Sequence, residues 1–353
     1  MSKDIELIIG NSNKRFSGVT STALQVLKIQ TALTSVAVLG EHHMPDDVKI
    51  LSFYELLQLC RKPLPSGAYR VFHARRNNEM IQSLIAQKVF GSKIKIAFTS
   101  TAKRHHTGFT RFLMNSVDGI ISTCEAAASY LKTPPDIIIP HGVDTDFYRP
   151  AESRYSAWKA LGLPGEFGIG VFGRVRKSKG IDILVDAAIP VLLKYPEATV
   201  VICGECLAKD EGFKAQLQEK IKRANLTERF VFLGKQRFED VPKIFRAMTI
   251  VAALSRNEGF GLTPLEAMAS GCAVLTSEAG AWKEIVRNGV DGYCVPTGNV
   301  KATSEKLMLM VRALEECESM GANARKYVET NFTVEREAQS LTRFLLALGQ
   351  HGT

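Results

Sequence analysis

With 353 residues, 45% hydrophobic and 23% charged, and a net charge of +9, the chain has the make-up of an ordinary globular protein with room for two cores. No apolar run approaches the roughly 20 residues a spanning helix needs, and the opening Met1-Ser2-Lys3-Asp4-Ile5-Glu6 lacks the features of a secretory signal, so a cytosolic protein is expected. The positive balance suits anionic partners, while the lack of a like-charge block or a basic-aromatic repeat argues against nucleic acid.

In the first part of the chain, short apolar runs at residues 5–10, 35–39, 48–51, 69–73, 95–100, 119–123 and 136–140 alternate with stretches of helical length. That alternation predicts a parallel, doubly wound sheet with right-handed crossovers. The segment from Pro140 to Pro150, with prolines at both ends, interrupts the pattern and marks a boundary between a domain at 1–145 and another at 146–330. The alternation restarts with runs at 167–172, 198–203, 229–233, 249–254, 273–277 and 292–295, with helices expected at 181–195 and 209–224. From 300 to about 348 the chain reads as wholly helical, and 331–353 is expected to form a C-terminal helix returning to the first domain. Among seven cysteines, Cys203-Gly204-Glu205-Cys206 is one nominal C-x-x-C; with no second pair nearby it reads as two reduced thiols.

Ligands of doubly wound sheets lie beyond the carboxyl ends of the strands, so the residues just after each strand are the candidates. After 167–172 come Gly173-Arg174-Val175-Arg176-Lys177-Ser178-Lys179-Gly180, either a phosphate clamp or a solvated basic turn. After 229–233, Gly234-Lys235-Gln236 offers backbone for a base edge. After 249–254 comes Arg256-Asn257-Glu258-Gly259-Phe260-Gly261-Leu262-Thr263-Pro264-Leu265-Glu266. On structural grounds Thr263-x-x-Glu266 is a capping box with Pro264 at the first helical position. On functional grounds the N–H groups of Phe260, Gly261, Leu262 and Thr263 face a diphosphate whose charge Arg174 and Lys179 share. Glu258 and Glu266 then lie on either side, each able to accept hydroxyl hydrogens.

Glu258 and Glu266 form an E-x7-E pair within Glu258-Gly-Phe-Gly-Leu-Thr-Pro-Leu-Glu-Ala-Met-Ala-Ser-Gly271, and this resembles the signature of the retaining GT-B glycosyltransferases of family 4. The resemblance extends to Phe172-Gly-Arg174, Lys179-Gly180, Phe232-Leu-Gly234, Gly289-x-Asp-Gly292 and the linker Ile139-Pro-His-Gly-Val-Asp144. It implies an α/β fold of two Rossmann-like, doubly wound domains facing across a cleft. The implied roles place Glu266 on the nucleotide ribose, Glu258 on the donor-sugar hydroxyls and Arg174 and Lys179 on the departing diphosphate. Gly173, Gly234, Lys235, Gly259 and Phe260 complete the donor site, and Gly18, in Arg15-Phe16-Ser17-Gly18, is similar to the family's N-terminal glycine loop. Asp144-Thr145-Asp146 matches a metal-binding mark of a different glycosyltransferase fold, and here it reads as a structural turn; no metal or cofactor is expected.

The first domain is expected to bind the acceptor, with His73, Arg75 and Arg76 after the fourth strand and Lys103, Arg104, His105 and His106 after the fifth. Many members of the family have a histidine directly after this fifth strand, where this chain has Ser100 and Thr101. Phe109, Phe112, Leu113 and Met114 suit a membrane surface or, more ordinarily, the core. The segments 11–30 and 73–80 look like those of mannosyltransferases of lipopolysaccharide core synthesis. That likeness implies a GDP-mannose donor, an anionic Kdo-lipid acceptor and a peripheral place on the inner face of the cytoplasmic membrane. A UDP-hexose enzyme of another envelope glycan and a non-catalytic two-lobed sugar-binding protein are the alternatives. A dinucleotide oxidoreductase is disfavoured by the lack of G-x-G-x-x-G after the first strand.

Overall fold

The computed structural model describes residues 5–14, 18–42, 44–45 and 47–350 and divides into two compact units, Met1–Gly142 with Val334–Thr353, and Val143–Thr333. The sequence reading set these crossings a few residues away, at 145/146 and 330/331.

Seven parallel strands build the first unit: β1 (Leu7–Gly10), β2 (Val36–Leu39), β3 (Lys49–Leu51), β4 (Arg70–Ala74), β5 (Ile94–Ser100), β6 (Gly119–Ser122) and β7 (Ile137–Ile138), in the order β3-β2-β1-β4-β5-β6-β7. Its central strands are buried on both faces, which is why they read as continuous apolar runs rather than as alternation. On one face Ile8, Phe72 and Ile96 pack with Leu56, Met80 and Leu113 of the helices Phe53–Leu59, Asn77–Leu84 and Gly108–Met114. On the other face Leu7, Ile9 and Val71 meet Val26 and Leu27 of the helix Gly18–Leu33 and the stripe Val334, Ala338, Leu341, Leu345 of the helix Val334–Gln350. That stripe has the three-and-four spacing of one helix face, so the last helix completes the first unit's core.

Six parallel strands build the second unit: β8 (Phe167–Phe172), β9 (Ala198–Cys203), β10 (Phe230–Gly234), β11 (Met248–Ala253), β12 (Ala273–Ser277) and β13 (Gly292–Val295), in the order β10-β9-β8-β11-β12-β13. Every run expected from the sequence is a strand, with ends within two residues. The stretch expected to be wholly helical from residue 300 is formed by three helices, Val300–Arg312, Leu314–Asn331 and Val334–Gln350. Its breaks fall at Ala313, whose backbone is not helical, and at Phe332-Thr333, where the chain passes from one unit to the other. Among the described residues no helix is long and apolar enough to cross a membrane.

Candidate active site

In the second unit the strand order reverses between β8 and β11, and an open α/β sheet leaves a crevice at such a switch point. The loops after these two strands, Gly173–Gly180 and Leu254–Leu262, flank it. They run directly against one another. Gly180 has φ +69°, and a Cβ there would lie 1.9 Å from the Leu254 carbonyl oxygen, so no other residue fits. Arg256 donates from its two terminal nitrogens to the two Asp182 oxygens at 2.8 Å each, and its backbone N–H donates to the Ser178 carbonyl at 2.9 Å. This bidentate pair fixes one loop to the helix that follows the other.

Inside the clamp, Lys179 Nζ lies 2.5 Å from Glu258 Oε1, and the Ser255 hydroxyl donates to the same oxygen at 2.8 Å. The stem of Lys179 passes Gly173, where a Cβ would sit 3.5 Å from its Cε. Arg174 is half-buried in the same loop and makes no ion pair among the described residues. Gly234 ends β10 and its carbonyl accepts from Gly204 N–H at 2.9 Å, while a Cβ on Gly204 would lie 2.0 Å from the Gly173 carbonyl oxygen. Gly234, Gly173, Lys179 and Glu258 therefore lie along one continuous rim, with Lys235 exposed beside Gly234.

The capping box does not form. The helix Thr263–Ala269 takes Leu262 as its N-cap with no side-chain bond, so Thr263 is already inside the first turn and its hydroxyl is one position late. Pro264 does stand in the first turn. The Glu266 carboxyl instead accepts a hydrogen bond from the hydroxyl of Tyr148, a buried residue of the segment that opens this unit. Burial pushes the Glu266 pKa up to about 7, against the opposing pull of the Tyr148 bond and the Lys179 charge. Tyr148 is held edge-on to Phe245 at 5.6 Å, and Phe245 stacks on Phe172, the last residue of β8, at 3.6 Å.

The sign of the linkage is definite. Between the ordinary carboxyl value of 4.5 and about 7, the folded protein keeps a proton that the unfolded chain has released, so stability falls as pH rises through this window and levels off above it. Glu266→Gln, neutral throughout, is expected to be more stable than the parent above pH 7 by up to about 3 kcal/mol and equal to it below about pH 4.5. Thermal unfolding of both proteins at the two ends of the window checks this; a pH-independent difference would overturn it.

The glycine turn itself is backed by the loop after β12. Gly261 has φ +85°, and a Cβ there would lie 2.5 Å from Trp282 Nε1, which donates to the Gly261 carbonyl at 2.9 Å. Ala281 N–H donates to the Phe260 carbonyl at 3.2 Å, and Phe260 is buried. Gly259 lies against the same loop, and Leu262 and Thr263 are half-buried. The first amides of the helix Thr263–Ala269 have no intrahelical acceptor, as at any helix start.

In the first unit the residues expected to meet the acceptor after β4, His73, Arg75 and Arg76, are engaged by partners within the unit. His73 lies within β4, fully buried, with Nε2 2.7 Å from Thr99 Oγ1. Desolvation, then the Arg75 charge, holds its imidazole well below the usual range and hence neutral. Arg76 donates from Nη1 to the buried Glu79 at 3.0 Å, and Glu79 also accepts the N–H groups of Arg75 at 2.7 Å and Arg76 at 3.1 Å. The Arg76 charge is thus balanced by a carboxylate three residues on, because Glu79 closes the start of the helix Asn77–Leu84. Arg75 is desolvated and faces Glu337 and Glu79.

After β5, Lys103 and Arg104 are exposed, and exposed His105 sets its ring edge-on to Tyr130 at 5.4 Å. His106 turns back to the strand end, with Nε2 3.0 Å from Ser100 Oγ; desolvation, then Arg111, lowers its pKa. Leu113 and Met114 are core residues, whereas Phe109 and Phe112 are 58% and 66% exposed. Gly18 opens the helix Gly18–Leu33, and Arg15, Phe16 and Ser17 lie outside the described residues. Asp144 Oδ1 accepts the N–H groups of Asp146 at 3.0 Å and Phe147 at 2.9 Å, the turn expected there. All seven cysteines, Cys203 and Cys206 included, are free thiols.

Sequence reasoning missed Tyr148, Ser255, Asp182 and the clamping role of Arg256. Arg256 and Asp182 are 74 positions apart, and neither local pattern signals the other. It also missed a cavity of about 490 Å³ at the carboxyl ends of β1, β2 and β3, bordered by Ser12, Glu41, His42, Ser52 and Gln82.

Residues 159–327 match the family model of the glycosyl transferases group 1. The chain is 38% identical over 340 residues, 96% of its length and 95% of the relative's, to the lipopolysaccharide core biosynthesis mannosyltransferase LpcC of Rhizobium leguminosarum bv. viciae. It is 35% identical over 343 residues, 96% of each chain, to the lipopolysaccharide core biosynthesis mannosyltransferase LpsB of Rhizobium meliloti (strain 1021). The crystal structure of the C-terminal domain of a group 1 glycosyl transferase (LpcC) from Francisella tularensis covers 54% of this chain and 99% of its own, at 39% identity and a TM-score of 0.53. Anabaena HepE in complex with UDP and glucose aligns over 97% of this chain and 100% of its own with a TM-score of 0.79, and at 19% identity that is a likeness of fold. With two Rossmann-like parallel sheets and full-length relatives at this level, the chain belongs to the group 1 glycosyltransferases of GT-B fold and is a homologue of the lipopolysaccharide core mannosyltransferases.

Proposed function

We propose that the protein is a retaining, metal-independent mannosyltransferase that moves mannose from GDP-mannose to an anionic glycolipid, the Kdo region of the lipopolysaccharide core. The observation that carries the reading is the Lys179–Glu258 pair at the β8/β11 switch point, taken with the likeness to two full-length relatives named as lipopolysaccharide core mannosyltransferases. In this reading the donor diphosphate lies against the amides of Gly261, Leu262 and Thr263, and Arg174 and Lys179 supply the countercharge, so no resident metal or cofactor is needed. Glu258 accepts hydrogen bonds from the sugar hydroxyls, Glu266 from the ribose, and the backbone around Gly234 and Lys235 meets the base.

The sugar–phosphate bond breaks as the acceptor oxygen bonds to the same face of the anomeric carbon. The acceptor proton passes to the departing diphosphate oxygen, which Lys179 and Arg174 stabilise as charge develops on it. Lys103 and Arg104, exposed beyond β5, are the first unit's candidates for the acceptor's anionic groups. The working place is the inner face of the cytoplasmic membrane, where such a glycolipid is presented.

Titration calorimetry with GDP, UDP and NAD tests the donor. Tight GDP binding supports the reading, a preference for UDP replaces it with a UDP-hexose enzyme, and binding of NAD alone sinks both. Transfer is expected to continue in excess chelator and to give the donor's anomeric configuration in the product; loss of activity in chelator would return Asp144 and Asp146 to consideration as metal ligands.

A further inference from the structure

Away from the strand ends described above, the first unit has a cavity of about 650 Å³ between the helix Phe53–Leu59 and the segment leading into β4. Lys49 and Arg70, the first residues of β3 and β4, contribute to it, so it opens toward the amino ends of these strands. Its charged lining is four cations, Lys49, Arg61, Lys62 and Arg70, and one carboxylate, Glu55. That carboxylate is already engaged, since Oε2 accepts the Ser52 N–H at 2.8 Å and the Ser52 hydroxyl at 2.7 Å. Arg70 is 3% exposed and donates to the Lys62 carbonyl at 2.8 Å, which holds the basic segment in place. Lys49, Arg61 and Lys62 are exposed. A concavity with this excess of cations favours an anion, and guanidinium and ammonium groups together suit a phosphate.

The surroundings distinguish between kinds of phosphate. Leu59, Pro63 and Pro65 give the cavity apolar walls. The helix Phe53–Leu59 turns Glu55, Gln58 and Leu59 to the cavity on one flank, while on its other flank Phe53 meets Phe90 edge-to-face at 6.2 Å. Tyr54 on the crest of that helix is 69% exposed, and Val89 and Phe90 beyond it are 71% and 58% exposed. A soluble anion has no use for such groups, whereas an interface of phosphate head groups and acyl chains takes both the cations and the apolar side chains.

We propose that this face docks the first unit on an anionic lipid surface, with a head-group phosphate in the basic cavity and Tyr54, Val89 and Phe90 at the acyl boundary. The site is separate from the donor and acceptor loops, and it rests on the glycosyltransferase reading only for its purpose, not for its binding.

The test is co-sedimentation of the full chain with vesicles of phosphatidylglycerol in phosphatidylcholine, without glycolipid, for the parent and for Arg61→Ala/Lys62→Ala. The double variant is expected to partition about 30-fold more weakly, about one kcal/mol per basic residue near such a surface, with GDP affinity unchanged. Phe90→Ser, at an exposed position, is expected to weaken partition while leaving its salt dependence intact. Equal pelleting of parent and double variant, equal binding to vesicles of phosphatidylcholine alone, or displacement of the parent from vesicles by soluble glycerol phosphate would each overturn the proposal.

Discussion

Lys179→Ala is expected to lower kcat/KM by about 10²–10³-fold, the loss typical of removing one group aimed at developing charge. The ammonium lies at the switch point between β8 and β11, 2.5 Å from Glu258, with 21% of the lysine side chain and 9% of the glutamate's exposed to solvent. In the resting protein it neutralises Glu258 and also lowers the Glu266 pKa. On the proposed function, a donor diphosphate gives the same charge a stronger partner and releases Glu258 to accept sugar hydroxyls. The alanine variant therefore loses transition-state stabilisation and leaves Glu258 without the ammonium's charge. Glu258→Gln separates the two effects, because it ends the ion pair yet leaves Lys179 free for phosphate. It is expected to raise KM for the donor more than it lowers kcat, whereas Lys179→Ala lowers both kcat and nucleotide affinity. Steady-state kinetics alongside thermal unfolding decides the matter. If Lys179→Ala melted earlier but kept its kcat/KM, the pair would be a structural ion pair and not part of the chemistry.

The elements legible in the sequence are those whose signal is local. Parallel strands buried on both faces appear as apolar runs of four to seven residues such as Phe167–Phe172 and Ala198–Cys203, and the turns after them are marked by glycine. What was not legible is which side chain each polar group pairs with. On the structural reading Glu266 closes its own helix, three residues from Thr263, and it instead bonds to Tyr148 from far up the chain. A one-residue shift in where that helix begins moves the threonine out of capping range, and propensity does not resolve ends that finely. Arg76 was expected to meet the acceptor, although its partner Glu79 is three residues away; the pattern was present, but a carboxylate that is fully buried looks in sequence like any other surface glutamate. His73, the last residue of the run 69–73, was expected to begin the acceptor-binding segment at the strand's end, yet the register carries the strand one residue beyond it, to Ala74. Polar pairing at a strand end depends on neighbours such as Thr99 that arrive from the adjacent strand.

Glu337→Ala is expected to destabilise the first unit by about 2–4 kcal/mol, the scale of leaving two buried hydrogen-bonding partners of one carboxylate unsatisfied. Glu337 is 6% exposed on the helix that returns to the unit; its Oε1 lies 2.7 Å from His141 Nδ1 and its Oε2 accepts the Gly142 N–H at 2.8 Å. The desolvated Arg75 also faces it. One carboxylate thus holds the last two residues before the chain leaves the unit and the helix that begins where it comes back. Its removal leaves the Gly142 amide short of an acceptor and the Arg75 guanidinium with less negative charge in a site where water cannot substitute. Glu337→Gln keeps an acceptor for one N–H and loses only the charge, so its loss should be about half as large. GDP affinity, which the proposed function assigns to residues of the second unit, should be the same in both variants, which separates a loss of fold from a loss of site. Urea unfolding followed by tryptophan-independent far-ultraviolet circular dichroism reads the difference. A change below about 0.5 kcal/mol, the scatter of ordinary surface substitutions, would mean that His141 and Gly142 are held by the strands around them and that the carboxylate only fills the space.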